Sequence, residues 1–200
     1  MSFEFSECRL ADGAVVQGLW QIQPKVFGDS RGYLFEAWSE RDFTAAGLKL
    51  SFVQENISRS GRGVLRGLHF QTRHPQGKLV CPLAGRVYDV AVDLRGGSPT
   101  FGRYYGVVLD AEKHNMFYIP EGFAHGYYVL SDEAIISYKH TDFYDPKGEG
   151  GLMWNDTAIG IAWDAVAPGA DPLLSEKDGK HPAFDPAKKY FDIDGKWIGE

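Results

Sequence analysis

Cysteine is scarce in this 200-residue chain, with only Cys8 and Cys81. A single pair cannot staple a fold of this size, so the core must hold by packing, and the chain reads as a reduced, cytoplasmic protein. An excess of positive charge is also missing, since 21 Lys and Arg against 27 Asp and Glu leave a net charge of −6. That argues against general nucleic-acid binding, which needs a basic stripe, and leaves any anion site to a few local arginines. No apolar run approaches the ~20 residues of a membrane helix, each candidate being broken by glycine, proline or charge, so no membrane contact is expected. Near Met1 there is no basic segment followed by an apolar one, and no secretory leader is expected. What is present, 44% hydrophobic and 24% charged residues, fits one globular domain over residues 1–200. A chain this long can bury roughly 70% of the surface it exposes when unfolded.

Long helical periodicity is lacking too, and alternation takes its place. Tyr88, Val90, Val92 and Leu94 fall on one face of a strand and Val87, Asp89, Ala91 and Asp93 on the other, which reads as a strand with one polar edge. Similar short runs occupy 15–22, 34–38, 52–57, 105–109, 116–119, 126–130 and 134–139, separated by Gly, Pro, Asp and Ser clusters. Only 39–46 reads as a helix, with Ser39 as N-cap, Glu40 and Asp42 in the first turn, and Gly47 as terminator. Many short strands without crossover helices predict an all-β, antiparallel jelly roll, an open-ended barrel or sandwich able to hold a ligand, with one or two short helices. Residues 179–200 lose the alternation but carry Phe184, Tyr190, Phe191 and Trp197, so they are expected to dock on the body as a C-terminal extension.

The stretch Gly63-Val64-Leu65-Arg66-Gly67-Leu68-His69-Phe70-Gln71 places an arginine and a histidine three positions apart in an apolar strand. On a flat strand these two project to opposite faces, so both reach one cavity only if the strand bends, which Gly63 and Gly67 permit. Taken alone, His69 reads equally well as a hydrogen-bonded core residue and Arg66 as a surface cation. In Pro120-Glu121-Gly122-Phe123-Ala124-His125, proline and glycine make a tight turn that delivers His125 to the start of the next strand. That turn resembles the second motif of the cupin jelly rolls. Metal-binding cupins need further convergent ligands, but the matching place reads His69-Phe70-Gln71, and Lys78 stands where a carboxylate would be, so no metal is expected. A cavity holding His69, His125, Lys78 and Arg66 suits an anionic substrate and proton-transfer chemistry. Tyr138, in an alternating strand, is a candidate acid if its phenol faces the same interior, and Asp178 gains meaning only if it meets His69.

Taken in order, these motifs and their neighbours resemble the dTDP-4-dehydrorhamnose 3,5-epimerases of deoxysugar biosynthesis. The resemblance rests on 24–32, 52–56, 64–71, 76–80, 89–95, 98–102, 119–126, Trp154-Asn155-Asp156 and 174–178, and covers about residues 20 to 178. It implies a cupin jelly roll without metal or cofactor, usually a homodimer, acting on a dTDP-linked 4-keto-6-deoxyhexose. It further implies a catalytic His69 paired with Asp178, Tyr138 as general acid and Lys78 near the ketone oxygen. Substrate contacts are implied at Arg31, Glu36, Gln54, Asn56, Arg66, His125, Glu149 and Lys177, with Arg31 and Glu36 reaching across a dimer interface. Tyr144 reads either as a stacking partner for the thymine or as a packed loop aromatic. Family relatives that invert only one carbon keep the same His, Asp and Tyr, so a mono-epimerase is the alternative. A non-catalytic sugar-nucleotide-binding cupin is disfavoured, because a binder has no use for an acid and a base on opposite sides of its ligand.

Overall fold

The computed structural model describes residues 2–169 and 171–199. Strands β1 (Phe3–Arg9), β2 (Val15–Pro24), β3 (Val26–Asp29) and β4 (Gly32–Phe35) precede helix α1 (Glu40–Ala45). Then come β5 (Gln54–Gly61), β6 (Leu65–Gln71), β7 (Lys78–Ala84), β8 (Arg86–Asp93) and β9 (Tyr104–Asp110). The last strands are β10 (Met116–Ile119), β11 (Phe123–Val129), β12 (Glu133–His140) and β13 (Glu149–Gly151). A short helix α2 (Trp163–Val166) and a 3-10 turn (Asp178–Lys180) follow.

Two antiparallel sheets, ordered β1-β2-β10-β7-β12-β5 and β13-β6-β11-β8-β9, face each other as a cupin-like jelly roll, with β3-β4 as a separate hairpin. Between them pack Leu19, Val80, Phe117 and Ile136 from the larger sheet and Val87, Ala91, Leu109, Phe123 and Val129 from the smaller. At about 1.5–3 kcal/mol per fully buried large apolar side chain, this layer is a main source of stability. On the outer face of the larger sheet, α1 seats Phe43 against Phe3 and Phe5, ring centroids 5.2 and 5.1 Å apart. Ser39 caps that helix by accepting from the Asp42 amide, and Gly47 leaves it at φ +87°.

The outer face of the smaller sheet is not solvated. Leu65, Leu68, Phe70, Tyr88, Val90 and Val92 lie under Leu152, Ile159, Trp163, Phe184, Tyr190 and Phe191. With the Val87 and Ala91 face of β8 packed between the sheets as well, the strand lacks the solvent-facing polar edge its alternation suggested, and every residue from Val87 to Asp93 is buried. Its two aspartates are held inside by partners. Asp93 accepts from Arg95 Nε and Nη2 at 2.9 Å each, from Ser98 Oγ at 2.6 Å and from Thr100 Oγ1 at 2.7 Å. Burial pushes the Asp93 carboxyl up, but Arg95 and Ser98 outweigh it and hold the group below its ordinary range. Arg95→Ala strips the cation from a buried pair and is expected to cost about 3–5 kcal/mol, read as a lower urea midpoint at unchanged slope.

Other departures from the alternation have local causes. The expected run 34–38 is strand only to Phe35, as the second arm of the β3-β4 hairpin, and 52–57 begins at Gln54 but continues to Gly61. In β6 the pairing shifts: His69 lies opposite His125, yet Arg66 rather than Gly67 lies opposite Tyr127. The extra residue is a bulge, which turns Arg66 and His69 to the same side while Leu65, Leu68 and Phe70 go to the outer core. Gly67 makes this feasible. Its φ is +119°, and a Cβ there would lie 2.6 Å from the Gly126 Cα and the His125 carbonyl oxygen.

Candidate active site

Between the two sheets lies a cavity of about 580 Å³. Asn56 and Ser58 enter it from β5, Arg66 and His69 from β6, Lys78 from β7, His125 and Tyr127 from β11, and Tyr138 and His140 from β12. Strands β6 and β11 carry these groups on one face and pack Leu68, Phe70, Ala124 and Tyr128 into the outer core on the other, whereas β5 is an edge strand whose outward Glu55, Ile57 and Arg59 are exposed.

His69 Nε2 lies 2.5 Å from Asp178 Oδ1, delivered by the 3-10 turn. Asp178 is buried, and its own amide donates to Ser175 Oγ. Burial raises its carboxyl, but the contact with His69 outweighs this and lowers it, so the carboxylate stays ionised. Engagement of Nε2 leaves Nδ1 as the ring nitrogen free to take a proton. The second imidazole is tied differently: His125 Nε2 sits 2.9 and 3.0 Å from the two oxygens of the fully buried Asp89. Burial lowers the His125 pKa against the opposing pull of Asp89, which favours a neutral ring used as a hydrogen-bonding group.

The Tyr138 hydroxyl is 2.8 Å from Ser58 Oγ, Ser58 Oγ is 3.1 Å from the Tyr127 hydroxyl, and that hydroxyl is 3.3 Å from Ser60 Oγ. Arg66 Nε closes the chain by donating to Ser60 Oγ at 3.0 Å. Burial pushes the Tyr138 phenol well above its ordinary value, so it remains a proton donor at neutral pH. Burial pushes Lys78 down to about 8, against the opposing charges of Asp89 and Glu149, and among the described residues its ammonium makes no ion pair. A base with its carboxylate, a protonated phenol and an unpaired ammonium thus share one cavity, the set needed to take a proton beside a carbonyl, steady the enolate and return a proton.

A family model described as dTDP-4-dehydrorhamnose 3,5-epimerase matches residues 14–186. The chain belongs to this family. It is 54% identical over 164 residues to the dTDP-4-dehydrorhamnose 3,5-epimerase of Pseudomonas aeruginosa, covering 82% of this chain and 89% of that protein. A Legionella pneumophila 3,5-epimerase, solved with dTDP-4-keto-L-rhamnose, superposes with a TM-score of 0.82 at 43% identity, covering 90% of this chain and 93% of the other. A 3'-monoepimerase from Streptomyces bikiniensis, solved with dTDP-quinovose, gives a TM-score of 0.79 at 34% identity, covering 88% and 86%.

In this epimerase-family chain, the remaining residues singled out from the sequence fall into two groups. One forms a rim beside the cavity. The Tyr144 hydroxyl donates to Glu149 Oε2 at 2.9 Å, Lys177 pairs with Glu149, and Glu149 lies opposite Gln71, two residues from His69. Gln54 belongs to the same edge, donating to Asn56 Oδ1 at 3.1 Å and accepting from the Tyr144 amide at 3.1 Å. The other group, Arg31 and Glu36, does not reach the cavity of this chain. Arg31 sits at the exposed tip of the β3-β4 hairpin, paired with Asp29, and Glu36 is exposed just after it.

Reading the sequence assigned no part to Asp89, Ser58, Ser60, Tyr127, His140 or His181. Asp89 had a signal, an acid amid apolar neighbours in a strand, as did Ser58 and Ser60, which alternate in β5. His140 and His181 had none: each is a single imidazole whose meaning depends on what the fold brings beside it.

Proposed function

We infer that this chain converts dTDP-4-dehydro-6-deoxy-D-glucose to dTDP-4-dehydro-L-rhamnose, inverting carbons 3 and 5 of the sugar. The observation that carries this reading is the His69–Asp178 pair in one cavity with Tyr138 and Lys78, in a chain about half identical to 3,5-epimerases. The enzyme is an isomerase.

A ketone at carbon 4 acidifies the hydrogens on both neighbouring carbons, so one base serves both centres. His69 Nδ1 takes the proton, and the Asp178 carboxylate fixes the ring and stabilises the imidazolium that forms. The Lys78 ammonium stabilises the enolate oxygen, and His125, held by Asp89, lines the cavity beside it. Tyr138 then delivers a proton to the opposite face of the carbon, which inverts it. Only carbon–hydrogen bonds break, so the reaction requires neither nucleophile nor cofactor, and no metal enters a step. Arg66 offers a planar fork to the diphosphate, and Asn56, Gln54, Glu149, Lys177 and Tyr144 hold the sugar and nucleotide at the rim. A second copy of the chain supplies Arg31 and Glu36. Support for that comes from the β3-β4 hairpin, which leaves Phe27, Tyr33 and Leu34 at 55, 62 and 73% exposure.

Residues 1–200 act as one cupin-like domain, with 179–200 serving as its docked extension. Support comes from Phe184, Tyr190 and Phe191, which are buried against β6 and β8. No helix among the described residues is long and apolar enough to cross a membrane. We place the enzyme in the cytoplasm, where its two buried thiols, Cys8 and Cys81, stay reduced.

Turnover should fall as pH rises through about 8, because Lys78 is an ammonium below that value and a neutral amine above it. The pH profile of kcat/KM checks this, and Lys78→Met should abolish that alkaline limb along with most of the rate. The reaction itself is tested by supplying the 4-keto-6-deoxy-D-glucose nucleotide, trapping product with a rhamnose-forming reductase and reading ring configuration by proton NMR. L-rhamnose confirms the reading. Inversion at one carbon only places the chain with mono-epimerases such as that of S. bikiniensis, and unchanged sugar rejects the substrate.

A further inference from the structure

Behind the proposed base, three metal-capable donors converge. Asp178 Oδ1 lies 2.5 Å from His69 Nε2 and 3.6 Å from His181 Nε2, and the donor atoms of all three residues lie within 4.8 Å of one another. The His181 side chain is only 10% exposed, and its Nε2 has no hydrogen-bond partner. A buried polar atom left without a partner carries a desolvation cost that a ligand engaging it relieves.

The ring of His181 is firmly placed. It packs on Gly151, where a Cβ would come within 2.4 Å of the imidazole, and Gly151 is the cross-strand partner of His69. The two imidazoles meet edge to face with centroids 5.6 Å apart. Two imidazole nitrogens and one carboxylate oxygen form a set that zinc accepts, with a fourth position left for water. Tetrahedral zinc with bonds of about 2.0–2.2 Å separates its donors by about 3.3 Å, and the two separations above bracket that figure. Seating the ion therefore requires the Asp178–His69 contact to open and the two imidazole nitrogens, within 4.8 Å of each other, to draw toward that separation. A hard, oxygen-seeking cation such as magnesium does not match the donor set.

We propose that His69, Asp178 and His181 form a binding site for a divalent transition-metal ion of the zinc class, and that the bound ion switches the enzyme off. The second half rests on the reading of His69 as the base: a metal bound to Nε2 displaces Asp178 from its supporting role and holds the ring as a ligand. His181 touches no substrate in the mechanism above, so its removal leaves the metal-free reaction running.

The test is a zinc titration of the full chain by calorimetry, a parallel cobalt titration followed by its visible absorption, and an activity assay with and without zinc. Wild type should bind one zinc ion, show the intense bands of four-coordinate cobalt, and lose activity reversibly on zinc addition, while magnesium does nothing. His181→Ala should keep its metal-free activity and lose zinc affinity by roughly 100-fold or more, at least the upper end of what loss of an outer-shell partner costs. His181→Gln, which fills the same space without an imidazole, should behave the same way if the alanine variant folds poorly. Zinc affinity unchanged in both variants, no binding by wild type, or binding without inhibition overturns the proposal. Since calorimetry and absorption need no substrate, failure of the metal site and failure of the epimerase reading register separately.

Discussion

His69→Ala is expected to abolish deuterium uptake from heavy water at both carbon 3 and carbon 5 of the sugar. The ring is the one imidazole in the cavity backed by the Asp178 carboxylate, whereas His125 is committed to Asp89 and His140 is pushed down to about 4, chiefly by burial and then by Lys78. Its loss should lower kcat by roughly 10³-fold or more, within the range for removing a positioned base. Binding of dTDP should survive, since the diphosphate is assigned to Arg66 and the nucleotide to the rim. Proton NMR of the exchange, with calorimetry of dTDP binding, reads both quantities. Exchange at the wild-type rate would remove His69 from the mechanism, and exchange lost at one carbon only would require a second base.

Tyr138→Phe separates proton removal from inversion. The variant keeps His69, Asp178 and Lys78, so the enolate still forms, but the hydroxyl that returns a proton to the other face is gone. Inversion should slow by roughly 10²-fold or more. Exchange should outlast it, because His69 can hand its proton, or a deuteron, back to the face it came from. The observable is the ratio of deuterium entry to product formed, which should rise steeply in the variant. An unchanged rate of product formation would mean that Tyr138 is not the acid. Its cavity contact is with Ser58 Oγ, and the phenol ring leans on His125 and Tyr127, so the phenylalanine should be accommodated without loss of fold.

Much of the architecture was legible because alternation survives wherever one face meets the core. Val87 to Leu94 announced a strand, and 116–119 matched β10 residue for residue. Strand β5 was cut short because its inward residues, Asn56, Ser58 and Ser60, are polar: they meet a cavity and a hydroxyl chain, so apolar periodicity vanishes where the chemistry begins. The polar edge predicted for β8 failed because that face, Val87, Asp89, Ala91 and Asp93, packs between the sheets with its aspartates held by His125 and Arg95, while residues beyond 150 cover Tyr88, Val90 and Val92 on the other. That Arg66 and His69 could share a cavity was conditional on a bend, and the bulge at Gly67 supplies it.

The site was legible only in part from residues alone. Nothing in the local pattern around Asp178 predicts a meeting with a histidine 109 positions earlier, and that pairing came from the family resemblance. The same holds for Arg31 and Glu36, which a single chain leaves on an exposed hairpin. His181 was overlooked because its significance comes from tertiary contact: three residues after Asp178, its ring folds onto Gly151 beside the base.

The most direct test of the account is to incubate the wild-type enzyme with dTDP-4-keto-6-deoxy-D-glucose in heavy water and follow deuterium at carbons 3 and 5 by NMR. The account predicts entry at both positions, with the inverted L-sugar trapped as product. Entry at neither position would contradict it.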